Sequence, residues 1–151
     1  MGMLQLILHG IGDYFLQTDW QALNKKKKGR QGLWACVKHC TTYSLPFKFI
    51  GSWWAVLAIW VGHFIIDRTN IVAYLIAWKN GVKKWVCKKH GGYDYMACPY
   101  KGERNCHPLS VLDISNFGFH PERSFAISIW LYIICDNLLH IIWNYFSLMY
   151  L

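Results

Sequence analysis

The sequence predicts an all-α fold: a polytopic membrane helical bundle of about four transmembrane helices with one extramembrane insert. Hydrophobic residues make up 54% of the 151 positions and aromatic residues 17%, whereas soluble domains contain about 45–50% apolar residues even when glycine is counted. The apolar residues occur in long runs. The basic residues that give a net charge of +8 cluster beside those runs, as expected for the cytoplasmic ends of membrane helices.

Residues 1–78 are predicted to contain the first three transmembrane helices. Apolar runs occupy residues 1–16, 32–43 and 50–66, and a further apolar stretch follows at 71–78. A membrane helix needs roughly 17–25 residues, so the second run is the weakest of the three. No cleavable signal peptide is expected, because the first run lacks a basic leader and a small-residue cleavage site.

The rest of the chain is predicted to form a cytoplasmic polar insert at 79–123 and a fourth transmembrane helix at 124–151. The insert is basic at its start and rich in Gly, Pro, Cys and Tyr. The run from Lys25 to Arg30 holds five cations in six residues. The positive-inside rule places both basic stretches in the cytoplasm and the N-terminus outside. The expected location is therefore a bacterial cytoplasmic (inner) membrane.

The partners expected from these features are the lipid bilayer and, at the run from Lys25 to Arg30, anionic lipid. Nucleic acid is not expected as a partner, because the basic run is short and lies between membrane segments. The sequence is compatible with a homo-oligomer.

Histidine and aspartate occur four residues apart in three separate apolar runs. The pairs are His9 with Asp13, His63 with Asp67, and, in reversed order, Asp136 with His140. On a helix this spacing places both side chains on one face. An ionisable residue at membrane depth costs roughly 2.5–3.5 kcal/mol on insertion scales, so such groups should face the bundle interior and pair with one another.

These six residues are the predicted metal ligands of one site built from several helices. Mixed imidazole and carboxylate donors suit zinc, manganese or iron, and zinc is the expected ion, with one or two ions bound. His39, in the second apolar run, is predicted to be a ligand or a general base, and His39 and Asp13 are the predicted catalytic residues. The alternatives for each pair are a structural hydrogen bond and a link in a proton relay.

The insert offers a second possible zinc site. Its candidate ligands are Cys87, His90, Cys98 and Cys106. Four such donors can close a structural zinc site, although their spacing differs from that of standard zinc knuckles. The alternatives are free thiols, or disulfides, which would require the insert to lie outside the cell.

The spaced polar residues resemble a family of small multi-pass membrane proteins of unknown function from bacteria and their phages. The matching motifs are His9-x-x-x-Asp13-Tyr14-x-x-Gln17, His63-x-x-x-Asp67 and Asp136-Asn137-x-x-His140. Tyr14 and Asn137 stand where that family has Phe and Gln, and Asn70 where Lys is common. The resemblance implies a multi-pass membrane protein and supports the site. The chain is more distantly similar to membrane-bound metal-dependent hydrolases, whose motifs also place His and Asp on membrane helices.

The function predicted from these observations is that of a metal-dependent hydrolase acting on a phosphoester or lipid-linked substrate. A metal pair can activate water and clamp a phosphate. Two alternatives remain open. One is a carrier or channel for protons or metal ions, in which the same residues form a relay. The other is a phage accessory protein that binds a host membrane complex.

Overall fold

The computed structural model describes residues 2–87, 96 and 108–151. Over these residues the chain forms six α-helices and a two-stranded sheet. The helices are α1 (Gly2–Gly10), α2 (Asp19–Asn24), α3 (Arg30–Ser44), α4 (Trp53–Arg68), α5 (Ile71–Asn80) and α6 (Phe125–Tyr150). The strands are β1 (Lys83–Cys87) and β2 (Pro108–Leu112).

The chain divides into two compact units. The first comprises Met1–Asn70 and Ile133–Leu151, and the second comprises Ile71–Tyr132. All of the His/Asp pairs belong to the first unit. The sheet belongs to the second unit.

Local sequence signals set the ends of several helices. Thr18 caps α2, because its side chain accepts from the backbone N–H of Gln21 while the Gln21 side chain accepts from the backbone N–H of Thr18. Ser52 caps α4 by accepting from the backbone N–H of Ala55. A proline-containing 3₁₀ turn, Leu45–Phe49, follows α3, consistent with the missing N–H of proline.

A π-helical turn, Ile11–Phe15, follows α1. It is closed by a backbone hydrogen bond from the Leu16 N–H to the Ile11 carbonyl at 2.9 Å. Such turns are rare and occur frequently at functional sites. Asp13 lies in the middle of this turn, so its carboxylate projects from a π-helical turn, which is wider than the α-helix that carries His9.

The prediction of a four-span bundle is wrong. α1, α3 and α4 contain 9, 15 and 16 residues, and helices of these lengths rise only about 14, 22 and 24 Å. A bilayer core is about 30 Å thick. Of the described helices, only the 26-residue α6 is long and apolar enough to cross a membrane, and a second candidate appears only if α4 and α5 are counted together as one broken span.

The prediction that the fold is entirely helical is also wrong. β1 and β2 pair antiparallel within the segment predicted as a polar insert, with Lys83 opposite Leu112 and Cys87 opposite Pro108. The available signals were the β-prone side chains of both runs, such as Trp85 and Val111. Each run is only five residues long, and the strands are far apart in sequence, so neither suggested its partner.

An apolar cluster forms the core of the first unit, with contributions from α1, α3, α4 and α6. Its members are Leu8, Tyr43, Phe47, Ala55, Val56, Ile59 and Leu148. In three of these helices a cluster residue lies within one turn of a histidine, as Ile59 lies four residues before His63. The core therefore packs directly beside the polar residues.

The packing of α4 against α6 depends on a glycine. A Cβ atom at Gly62 would overlap the Trp143 indole ring. Trp143 also donates from its indole N–H to the Ala58 carbonyl at 2.8 Å. This close approach holds the part of α6 that carries His140 against the part of α4 that carries His63.

Candidate metal centre

One group of potential ligands consists of Asp13, His39 and His63. The Nε2 atoms of the two histidines are 2.9 Å apart, and Asp13 Oδ1 lies 3.2 Å from His39 Nε2 and 3.4 Å from His63 Nε2. An ion with bond lengths of about 2.0–2.1 Å in a tetrahedral site would have ligands about 3.3 Å apart. The three atoms thus match one face of such a tetrahedron. These residues could hold a metal ion.

A second group consists of His63, Asp67 and His140. Asp67 Oδ2 lies 3.2 Å from Nε2 of both His63 and His39, and Asp67 Oδ1 lies 3.7 Å from His140 Nε2. Asp136 Oδ2 is 3.6 Å from the same His140 nitrogen. The Asp67 carboxylate therefore belongs to the second group and borders the first, and His63 belongs to both.

Several buried polar atoms at this site have no hydrogen-bond partner among the described residues. They are Asp13 Oδ1, Asp136 Oδ1, both ring nitrogens of His140, and the Nδ1 atoms of His39 and His63. Buried polar groups are almost always hydrogen-bonded, so each exception calls for an explanation. A bound ion would account for Asp13 Oδ1 but not for the Nδ1 atoms, which lie on the opposite side of each ring from Nε2. The chemistry of this donor set, imidazole and carboxylate, fits a divalent metal.

His9 is placed beside the two groups, and both of its ring nitrogens are already in hydrogen bonds. Nδ1 lies 2.7 Å from the Tyr43 hydroxyl and Nε2 lies 2.8 Å from Asn137 Oδ1. Nδ1 is also 3.4 Å from Asp13 Oδ2, the oxygen that does not face the other histidines. His9 is thus placed to orient Asp13.

Tyr43 connects the apolar core to the site. Its ring stacks on the His63 ring, with centroids 3.7 Å apart. Its hydroxyl accepts a hydrogen bond from the Asn144 amide at 2.6 Å and bonds to His9. Gly12 packs against its ring, where a Cβ atom on residue 12 would collide with it.

Lys25 is a site residue that the sequence interpretation assigned to lipid instead. Its ammonium donates to Asp67 Oδ2 at 2.8 Å and to Gln17 Oε1 at 2.9 Å. Burial alone would lower the pKa of Lys25, but the carboxylate of Asp67, together with those of Asp13 and Asp136, holds the pKa above its usual value. No sequence signal marked Lys25, since it is one of four consecutive lysines.

The segment that carries Lys25 is fixed by Arg68. The Arg68 guanidinium donates to the Lys25 carbonyl at 2.9 Å and also to the Lys27 carbonyl. Gly32, at the start of α3, leaves no room for a Cβ atom against the Lys27 carbonyl. The Lys25 ammonium therefore approaches Asp67 from a well-supported backbone.

The structure thus brings most of the predicted ligands and catalytic residues together in one place. Asp13, His39, His63, Asp67 and His140 form the two groups, with Asp136 at their edge and His9 beside them. The second predicted zinc site falls largely outside the described residues. Cys87 is buried at the end of β1, whereas His90, Cys98 and Cys106 lie outside the described ranges.

Comparison with known proteins identifies a family for most of the chain. A family model described as a protein of unknown function (DUF3307) matches residues 1–91. That range includes His9, Asp13, His39, His63 and Asp67, and it ends before Asp136 and His140. No match was found among curated proteins or among solved structures.

Proposed function

The chain belongs to the DUF3307 family, and from the geometry of its site we propose that it is a membrane-bound, metal-dependent hydrolase. The observation that carries the proposal is the close approach of three ligand atoms. His39 Nε2 and His63 Nε2 are 2.9 Å apart, and Asp13 Oδ1 lies 3.2 and 3.4 Å from them. Three protein ligands leave one tetrahedral position open, which is the arrangement of catalytic zinc sites, whereas structural sites are closed by four ligands.

Zinc is the ion proposed for this site, because its usual ligands include both imidazole nitrogen and carboxylate oxygen. A zinc ion held here would supply a Lewis acid and a bound water that ionises near neutral pH. In this arrangement His39 serves as a ligand and not as a general base. The general base of this proposal is Asp67, whose Oδ2 lies 3.2 Å from both histidine nitrogens and accepts a hydrogen bond from Lys25.

A phosphoester, including a lipid-linked one, is the proposed substrate class. Lys25 adds a positive charge at the Asp67 side of the site, where a phosphate oxygen would approach. Lys26, Lys27, Lys28 and Arg30 follow it along the chain and are exposed. This basic rim favours anionic headgroups, since each Lys or Arg near an anionic membrane surface contributes about 1 kcal/mol to binding.

Membrane attachment through α6 is part of the proposal. The helix has 26 residues, and only 11% of its most apolar window is buried, so it differs from the core helix of a soluble protein. Large side chains such as Trp130, Ile134, Leu138 and Phe146 are exposed along it. A bilayer would cover these side chains, which otherwise form an apolar surface far larger than soluble monomers usually expose.

The metal content of the purified protein tests the proposal. We expect stoichiometric zinc in the wild-type chain, and loss of the ion in His39→Ala and in His63→Ala, because each removes one of three ligands. His120→Ala is the matched control, since His120 is an exposed histidine outside the site. A wild-type protein without a bound divalent ion after reconstitution with zinc would contradict the proposal.

A carrier for protons or metal ions is the second candidate. It is favoured by the unbroken series of contacts from His9 through Asp13, His39 and Asp67 to Lys25, each link being 3.4 Å or shorter. Flux through proteoliposomes separates the two functions. A carrier would show proton or zinc flux that Asp13→Asn abolishes, whereas a hydrolase would leave the vesicles impermeable.

A further inference from the structure

Lys25 lies against Asp67, the carboxylate that a second metal ion at this site would need as a ligand. Its ammonium lies 2.8 Å from Asp67 Oδ2, and its side chain is 17% exposed while that of Asp67 is 2% exposed. Gln17 accepts a second hydrogen bond from the same ammonium, and Arg68 holds the Lys25 carbonyl. The cation is therefore a fixed part of the site, unlike the exposed lysines that follow it.

The two ligand groups cannot each bind an ion through the atom that they share. His63 belongs to both groups, and its Nε2 has a single lone pair, which can serve one ion only. A second ion would have to rely on Asp67, Asp136 and His140. The Asp67 carboxylate in that set already accepts from Lys25.

Formal charge also limits the number of ions. Three carboxylates, Asp13, Asp67 and Asp136, contribute −3 to the site, so one divalent ion and the Lys25 ammonium bring the sum to zero. Two divalent ions with Lys25 would leave +2 in a largely buried site. Uncompensated buried charge costs several kcal/mol per ion even after relaxation.

Resting on the proposed function, we infer that the site holds a single divalent ion and that the Lys25 ammonium takes the place of a second one. A substrate phosphate would then be held between two cations. One is the ion bound by Asp13, His39 and His63, and the other is the Lys25 ammonium, which is paired with Asp67. Lys25 thus has the role that a second metal ion plays in two-metal hydrolases, where both cations stabilise the oxygens of an in-line displacement.

Zinc stoichiometry of the full-length chain in detergent tests this inference, with Zn²⁺ alone as the probe. We expect one ion per chain in the wild-type protein at saturating zinc. Lys25→Met removes the ammonium and frees Asp67 Oδ2 for a second ion, so the number should rise to two, whereas Lys25→Arg keeps the cation on Asp67 and should leave it at one. Lys28→Met, which removes an exposed charge of the same basic run, should also leave it at one.

The outcomes separate this inference from the proposed function. Two ions in the wild-type chain would overturn the inference while supporting a metal hydrolase. One ion in both the wild type and a folded Lys25→Met variant would also overturn it. No ion in the wild-type chain would overturn both. The wild-type measurement remains decisive even if Lys25→Met fails to fold.

Discussion

At the scale of single residues, the roles of the histidines follow from what their ring nitrogens contact. His9 has both nitrogens in hydrogen bonds, to Tyr43 and Asn137, so no lone pair is left for an ion. His39 and His63 direct Nε2 atoms at each other across 2.9 Å. Two neutral imidazoles held this close are well explained by a cation between them or by one shared proton.

We predict that His9→Ala keeps the zinc stoichiometry but weakens zinc affinity by about 10–100-fold, the usual cost of losing a partner that orients a ligand. The physical reason is that His9 contacts the Asp13 oxygen that faces away from the other histidines. Competition with a chelator of known affinity measures the change. His63→Ala is the comparison, and it should abolish binding.

If His9→Ala abolished zinc binding as completely as His63→Ala, His9 would be a ligand, as the spacing of His9 and Asp13 in the sequence suggested. His9→Gln provides a second check. Its amide can keep a hydrogen bond to Tyr43 or Asn137, so it should retain more affinity than His9→Ala.

At the scale of elements, the site depends on how closely α4 and α6 approach. Asp136 and His140 come from α6, and His63 and Asp67 from α4. The absence of a side chain at Gly62 admits the Trp143 indole. Any residue that separates these helices also withdraws His140 from Asp67, which it approaches at 3.7 Å.

We predict that Gly62→Ala destabilises the protein by about 1–3 kcal/mol, the usual cost of overpacking a core. The new methyl group would overlap Trp143. Thermal unfolding in detergent micelles measures the change. Gly10→Ala is the control, because a Cβ atom there meets nothing within 4 Å and the backbone is helical, with φ −61°.

The two substitutions should move stability in opposite directions, since Ala in a helix is favoured over Gly by roughly 0.5–1 kcal/mol. Equal effects from Gly62→Ala and Gly10→Ala would show that contact with Trp143 is not what requires the glycine.

At the scale of the whole molecule, apolar surface dominates the outside of the helices. Exposed large side chains occur on α1, α3, α4, α5 and α6. The buried polar side chains include His39, His63, Asp67 and His140 of the candidate metal centre. Large apolar side chains exposed on this many helices form more apolar surface than a soluble monomer usually exposes. The proposed bilayer partner accounts for it without requiring every helix to cross the membrane.

We predict that the chain stays with membranes after an alkaline carbonate wash and that a double substitution, Ile134→Asp with Leu138→Asp, releases it. Both side chains are about half exposed on α6, and each charge at bilayer depth costs roughly 2.5–3.5 kcal/mol. The distribution of the chain between pellet and supernatant measures the effect. Retention of the double variant would contradict insertion of α6.

The control for that experiment is Leu109→Asp. Leu109 is 45% exposed on β2, outside the proposed membrane helix, so its substitution should leave the wild-type distribution unchanged.

The sequence by itself determined which helix faces carry most of the histidines and aspartates of the candidate site. The spacing of four residues in His63–Asp67 and Asp136–His140 fixes each pair to one helix face, because that spacing approximates one α-helical turn. The number of spans was not determined, because apolar runs do not show where a helix ends. The shortness of the run at 32–43 was evident in the sequence, whereas the π-helical turn that follows α1 after Gly10 was not.

Only the tertiary structure decided which of these residues meet. The sequence pairs His9, and not His39, with an aspartate four residues away, but it is His39 whose Nε2 lies against His63 and Asp13. Lys25 was indistinguishable from its neighbours until α2 and Arg68 placed it on Asp67. Local spacing specifies the face of a helix, whereas contacts between side chains far apart in sequence depend on how the helices pack.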